Sequence, residues 1–130
     1  MGGDRFSHGR SATTLKNSEH VAQVKFVNRV RHLRHDLLLY SIPNGGLRHH
    51  TVAAQLKAEG QYAGIPDLHL ARATAKYHGL YLEFKTKQGT VSKVQKKVIE
   101  KLQLEGYCVK VVRSADEAWD TMMNYLAEEL

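Results

Sequence analysis

Three charged side chains stand in stretches where a buried strand would ordinarily be neutral. Ile65-Pro66-Asp67-Leu68-His69-Leu70 and Leu80-Tyr81-Leu82-Glu83-Phe84-Lys85 are short apolar runs, and each carries an acid. Successive side chains of a strand face opposite sides, so Leu80, Leu82 and Phe84 share one face while Tyr81, Glu83 and Lys85 share the other. Pairing the two runs as a hairpin across residues 71–79 brings Asp67 to the patch that holds Glu83 and Lys85. Two carboxylates held that close repel, and a divalent cation relieves the repulsion. A donor set made only of oxygen suits magnesium or manganese better than zinc.

The elements that must hold these groups can be read on either side of the hairpin. Residues 1–16 read as a disordered leader, and 17–130 as a single domain. Asn17 or Ser18 caps a helix running to about Leu37, with an apolar stripe at Phe26, Val27, Val30, Leu33 and Leu37. Continued backwards, the stripe passes Gln23 and reaches Glu19. That acid either complements the helix dipole or joins the acids of the hairpin. Leu37 to Ile42 reads as a strand halted by Pro43-Asn44-Gly45-Gly46, and Arg48, His49 and His50 lead into a short helix over 51–59 closed by Gly60. The Gly-Gly turn before basic residues at a helix start is first a turn and secondarily an anion site.

Beyond the hairpin, a helix spans about Val91 to Glu105. Ser92 and Gln95 fit a capping box, yet Gln95 also shares the apolar face of Val91, Ile99 and Leu102, so it looks toward the sheet. Lys93, Lys96, Lys97 and Lys101 look outward. Tyr107 to Arg113 form another strand. A last helix capped by Ser114 buries Ala115, Ala118, Trp119, Met122 and Leu126. The expected order is helix, strand, helix, strand, strand, helix, strand, helix. This makes an α/β fold, a central mixed β-sheet flanked by helices on both sides.

Composition narrows the partners. At 130 residues the chain fits one domain with a real core. No apolar run approaches a membrane span and no signal-peptide core is present, so a cytoplasmic location is expected, without a membrane partner. The single Cys108 lies in an apolar run and reads as a small buried hydrophobe. The net charge is +6, but all five acids of residues 115–130 lie without a Lys or Arg among them, so residues 1–114 carry +11. A body so basic points to a polyanion.

Pro43-Asn44-Gly45-Gly46, Gly64-Ile65-Pro66-Asp67, Glu83-Phe84-Lys85-Thr86, Gly89, Ser92, Gln95 and Gly106-Tyr107 follow one another in an order that resembles the PD-(D/E)XK nuclease superfamily. Within it, the set is similar to the virus-type replication-repair nuclease domain, VRR-NUC, in its small stand-alone phage and bacterial form. The resemblance implies a restriction-endonuclease-like core. It assigns metal binding to Asp67, Glu83, the backbone carbonyl of Phe84, and Glu19 directly or through water. Lys85 takes the place of the catalytic lysine, and Gln95 that of a supporting glutamine. Carboxylate-held Mg2+ or Mn2+ suits phosphodiester hydrolysis, with Lys85 placed to position water and stabilise the transition state, or to accept the water's proton as the alternative.

The resemblance further implies a homodimer that resolves Holliday junctions or other branched DNA. The C-terminal helix is the candidate pairing surface. Asn44, Gly45, Gly46, Arg48, Lys87, Lys93, Lys96 and Lys97, with Arg31 and Arg34, are expected to meet DNA phosphates. No aromatic cluster spaced for base stacking stands out in the sequence, so recognition is expected to follow backbone shape. His69 reads as solvated, with a ligand or DNA role as the alternative. Other readings are a flap or single-strand nuclease with the same site, a non-catalytic DNA-binding module, and a phosphoesterase acting on small molecules.

Overall fold

A computed structural model describes the chain from Ala12 to Pro43 and from His50 to Leu130, with side chains from Ser18 onward. Its elements are α1 (Ala12–Leu33), β1 (Leu39–Ser41), α2 (His50–Ala58), β2 (Leu68–Leu70), β3 (Leu80–Phe84), α3 (Lys93–Leu104), β4 (Cys108–Val112) and α4 (Ala115–Leu126). The order is the expected one. Most boundaries shift by one or two residues, and the two ends of α1 move furthest. Helix α1 starts at Ala12 rather than near Asn17, because no Gly or Pro interrupts residues 11–33 and Asn17 and Ser18 cost little inside a helix. It also stops at Leu33, four residues short of the expected end. There the Arg34 guanidinium grips Asp36 through two bonds of 3.0 Å, and the chain turns. Leu33 is consequently 56% exposed, while Leu37 is buried beyond the helix.

The four strands lie in the order β1-β2-β3-β4. β1–β2 and β2–β3 are antiparallel, and β3–β4 is parallel. A parallel neighbour needs a crossover, which α3 supplies. On one face, Leu68, Leu70, Leu80, Leu82, Phe84 and Val112 pack with Phe26 and Val30 of α1 and with Ala118, Met122 and Tyr125 of α4. The Phe26 and Phe84 rings meet at 6.1 Å between centroids. Cys108 is buried, as the sequence implied. The apolar stripe of α4 is spent on this core, so it is not the free pairing surface expected of it. The other face carries Tyr81 and Glu83 and is covered in part by α3. The result is the mixed sheet with helices on both sides that was expected.

Candidate active site

Leu68 pairs with Leu82 in the β2–β3 register, which sets Asp67, one residue before β2, beside Glu83. Two bonds from backbone amides hold it there. The Asp67 carbonyl accepts from the Ile42 amide at 2.9 Å, and Asp67 Oδ2 accepts from the Phe84 amide at 2.7 Å. The loop into Asp67 lies close on α3 because Gly64 allows it: its φ is +92°, and a Cβ there would come within 3.0 Å of Val94 and Val98.

Glu83 is the buried charged residue of the described chain, only 4% exposed. Its Oε2 accepts from Gln95 Nε2 at 3.1 Å and faces Lys85 Nζ at 3.5 Å. Burial first, and then the Asp67 carboxylate, push the Glu83 carboxyl up to about 7, against the pull of Lys85. Burial also raises Asp67, against the hydrogen bond from the Phe84 amide. One ammonium therefore stands among two carboxylates that their surroundings would rather see protonated.

Gln95 reconciles its two sequence readings. Its Oε1 accepts from the Ser92 amide at 2.9 Å and its own amide donates to Ser92 Oγ at 3.2 Å, which completes the capping box of α3. The Nε2 of the same side chain holds Glu83. Helix start and acid are thus locked to each other.

Glu19 occupies a neighbouring position. Its Oε2 accepts from the Thr86 amide at 3.3 Å. It adds negative potential at both Asp67 and Glu83. Among the described residues, no three His, Cys, Asp or Glu side chains close into a metal cluster.

Two clefts meet at Lys85. One, of about 310 Å³, is lined by Gly64, Ile65, Asp67, Glu83, Lys85, Ser92, Val94 and Gln95. The other, of about 720 Å³, runs past Glu19 and Lys85 to Gly89 and Arg113.

Arg113 is the residue that the sequence reading missed. Its Nη1 donates to the carbonyls of Thr86 at 2.6 Å and Gly89 at 2.7 Å, pinning the loop that follows Lys85. A signal was present: parallel strands end on the same side of a sheet, so a basic residue after β4 must neighbour the loop after β3.

A VRR-NUC domain model matches residues 11–116. The chain belongs to the VRR-NUC family. A solved structure described as a VRR_NUC domain protein is 28% identical with a TM-score of 0.73, over 85% of this chain and 88% of that one. Comparison with curated proteins returns no match. VRR-NUC is a nuclease domain, and the mixed sheet between helices agrees with its PD-(D/E)XK-like core.

The residues expected to contact DNA divide into three groups. Lys87, Lys93, Lys96 and Lys97 are exposed and free to meet a polyanion. Asn44, Gly45, Gly46 and Arg48 lie outside the described residues. Arg34 is committed to Asp36, which weakens its case as a phosphate contact.

His69 is half-buried and engaged by neighbouring rings rather than freely solvated. It stacks on Tyr81, bonds Tyr40, and has a pKa lowered by burial. No aromatic cluster stood out along the sequence, but one forms in the fold. Tyr40, His69, Tyr81 and Tyr107 are scattered in the sequence, and strand pairing brings them together.

Proposed function

We propose that this VRR-NUC protein is a metal-dependent, structure-selective DNA endonuclease that hydrolyses phosphodiester bonds in branched DNA, in the manner of a Holliday-junction resolvase and as a homodimer. The observation that carries the catalytic part is the nearly buried Glu83 carboxylate, set beside Asp67 with a single ammonium for compensation. That donor set, all oxygen and short of positive charge, fits a hard dication. Asp67, Glu83 and the Phe84 carbonyl would hold Mg2+ or Mn2+, with Glu19 acting through water. Such an ion supplies charge neutralisation at the phosphoryl oxygens and a nucleophile at neutral pH.

The side chains have separate tasks. Lys85, at the junction of the two clefts, orients the attacking water and offsets charge that builds on the phosphate. Gln95 keeps Glu83 in one rotamer, so the acid is ready before substrate arrives. Arg113 holds the loop from Thr86 to Gly89, and through the Thr86 amide it steadies Glu19. The exposed lysines of α3 and Lys87 supply phosphate contacts, which makes binding fall steeply with salt.

The test is cleavage of four-way junctions, flaps, single strands and plain duplex in Mg2+ and in Mn2+, beside Asp67→Ala and Lys85→Ala proteins. Junction cutting that needs the metal and disappears in Asp67→Ala is the expected result. Persistent cutting by Asp67→Ala sinks the site assignment. A mass near 14.7 kDa in sedimentation equilibrium without DNA, and one protein copy per junction with it, sinks the homodimer. One observation favours the second reading, a flap or single-strand nuclease with the same site: Tyr40 presents an exposed ring on the sheet face that bears the acids.

A further inference from the structure

A row of rings crosses the sheet on the Asp67 and Glu83 face, outside the groups assigned to hydrolysis above. Tyr40 of β1 is paired with His69 of β2, and His69 with Tyr81 of β3. The His69 ring stacks on Tyr81 at 4.4 Å between centroids and meets Tyr40 edge-on at 5.2 Å. Tyr107 closes the row against Tyr81 at 5.3 Å. Of these four, Tyr40 is the one open to solvent, at 42%.

An exposed tyrosine ordinarily turns freely, and a ring that turns loses entropy when it binds anything. This one is tethered. Its hydroxyl is hydrogen-bonded to His69 Nδ1. His69 is itself clamped: its Nε2 is buried without a partner, and a Cβ at residue 79 would come within 2.8 Å of it, so only Gly79 leaves room for the imidazole. Gly79 fixes His69, and His69 fixes Tyr40. A surface ring is thereby pre-oriented by the layer beneath it.

Position supplies the rest. Tyr40 lies two strand spacings across the sheet from Glu83, about 10 Å, and two residues along it, about 7 Å. That is within reach of one or two nucleotides of a strand seated at the acids. The chain carries +6 overall, and a second copy laid on this face would stand over the cleft that substrate must enter. A substrate strand is the occupant that both facts favour.

We propose that Tyr40 is a stacking platform for an unpaired nucleobase of the DNA substrate, one or two nucleotides from the scissile phosphate. The inference rests on the nuclease reading above and adds a substrate class, DNA with an unpaired base beside the cut. Base stacking tolerates any sequence, because every base presents a π face. Selection is therefore for unpaired structure.

The experiment walks one abasic residue through the unpaired arm of a flapped DNA and measures kcat/KM for wild type, Tyr40→Leu and Tyr40→Phe. In parallel, the affinity of Asp67→Ala and of Asp67→Ala combined with Tyr40→Leu is read by fluorescence anisotropy. At one position the abasic residue lowers kcat/KM and affinity about tenfold with Tyr40 present. Tyr40→Leu loses the same factor on intact DNA and ignores the abasic residue, whereas Tyr40→Phe, which keeps the ring but loses its hydroxyl tether to His69, still discriminates at the same position by a smaller factor. Thermal melts of the variants confirm that they fold. Full discrimination by Tyr40→Leu, or none at any position in wild type, overturns the proposal. Conversion of a dimer to a monomer by Tyr40→Leu, with abasic discrimination kept, assigns the face to a second copy and overturns it too. Failure of the nuclease reading looks different: wild type does not cut in metal, or Asp67→Ala still cuts, while the affinity arm continues to test Tyr40.

Discussion

Glu83 and Asp36 are both acids beside basic neighbours, and their surroundings drive them in opposite directions. Asp36 stands exposed between Arg34 and Arg72, at 3.0 and 3.8 Å. The hydrogen bonds from Arg34 hold its carboxyl down to about 2. Two guanidiniums satisfy one carboxylate there. At Glu83 the ratio is reversed, with one ammonium set against two carboxylates in a buried place, and the carboxyl rises to about 7. A surface pair with charge to spare closes a turn and needs nothing more. A buried pair short of positive charge has room for a cationic ligand, and that is the ground on which the site is proposed there.

The sharpest way to break this contrast is to remove the acid. Glu83→Ala is expected to lower metal-dependent cleavage by at least about 1,000-fold, measured in single turnover on whichever branched DNA wild type cuts best. Retention of a tenth of the activity would detach Glu83 from the chemistry.

A second prediction concerns pH and stability in the absence of divalent metal. Because the folded carboxyl of Glu83 titrates above its ordinary value, the native state holds a proton that the unfolded chain has released. Stability therefore falls as pH rises from about 4.5 toward 7, by on the order of 2–3 kcal/mol, and levels off above. Glu83→Gln should flatten this slope in urea melts between those pH values while abolishing cleavage. An unchanged slope refutes the claim. Asp36 has the opposite sign: its contribution is present above its ordinary value near 3.8 and disappears as pH falls through about 2.

Arg113→Ala comes next. Loss of the donor to Thr86 and Gly89 loosens the loop after Lys85, and cleavage should fall about tenfold, on the scale of one charge-assisted hydrogen bond. A higher Mg2+ requirement and partial recovery in Arg113→Lys separate positioning from a general loss of stability. The smallest effect belongs to Asp36→Asn. It should leave cleavage unchanged and shift Tm by no more than about 2 °C near pH 7, since exposed pairs contribute little.

Local chemistry in the chain was enough to order the eight elements, to start α3 at a capping box, and to put Glu83 and Lys85 on one side of a strand opposite Leu82 and Phe84. Each of these depends on neighbours within a turn or a pleat. The family motif was legible for the same reason, as residue types in a fixed order. The pairing of strands decided what no such interval contains. It set Asp67 against Glu83 but kept Glu19 on the Thr86 amide, and it brought Arg113 to the loop after β3. It also gathered Tyr40, His69, Tyr81 and Tyr107 from across the chain into one row. Cross-strand register is a long-range property, fixed by which apolar faces bury together, and periodicity along one segment says only which side of the sheet a residue takes.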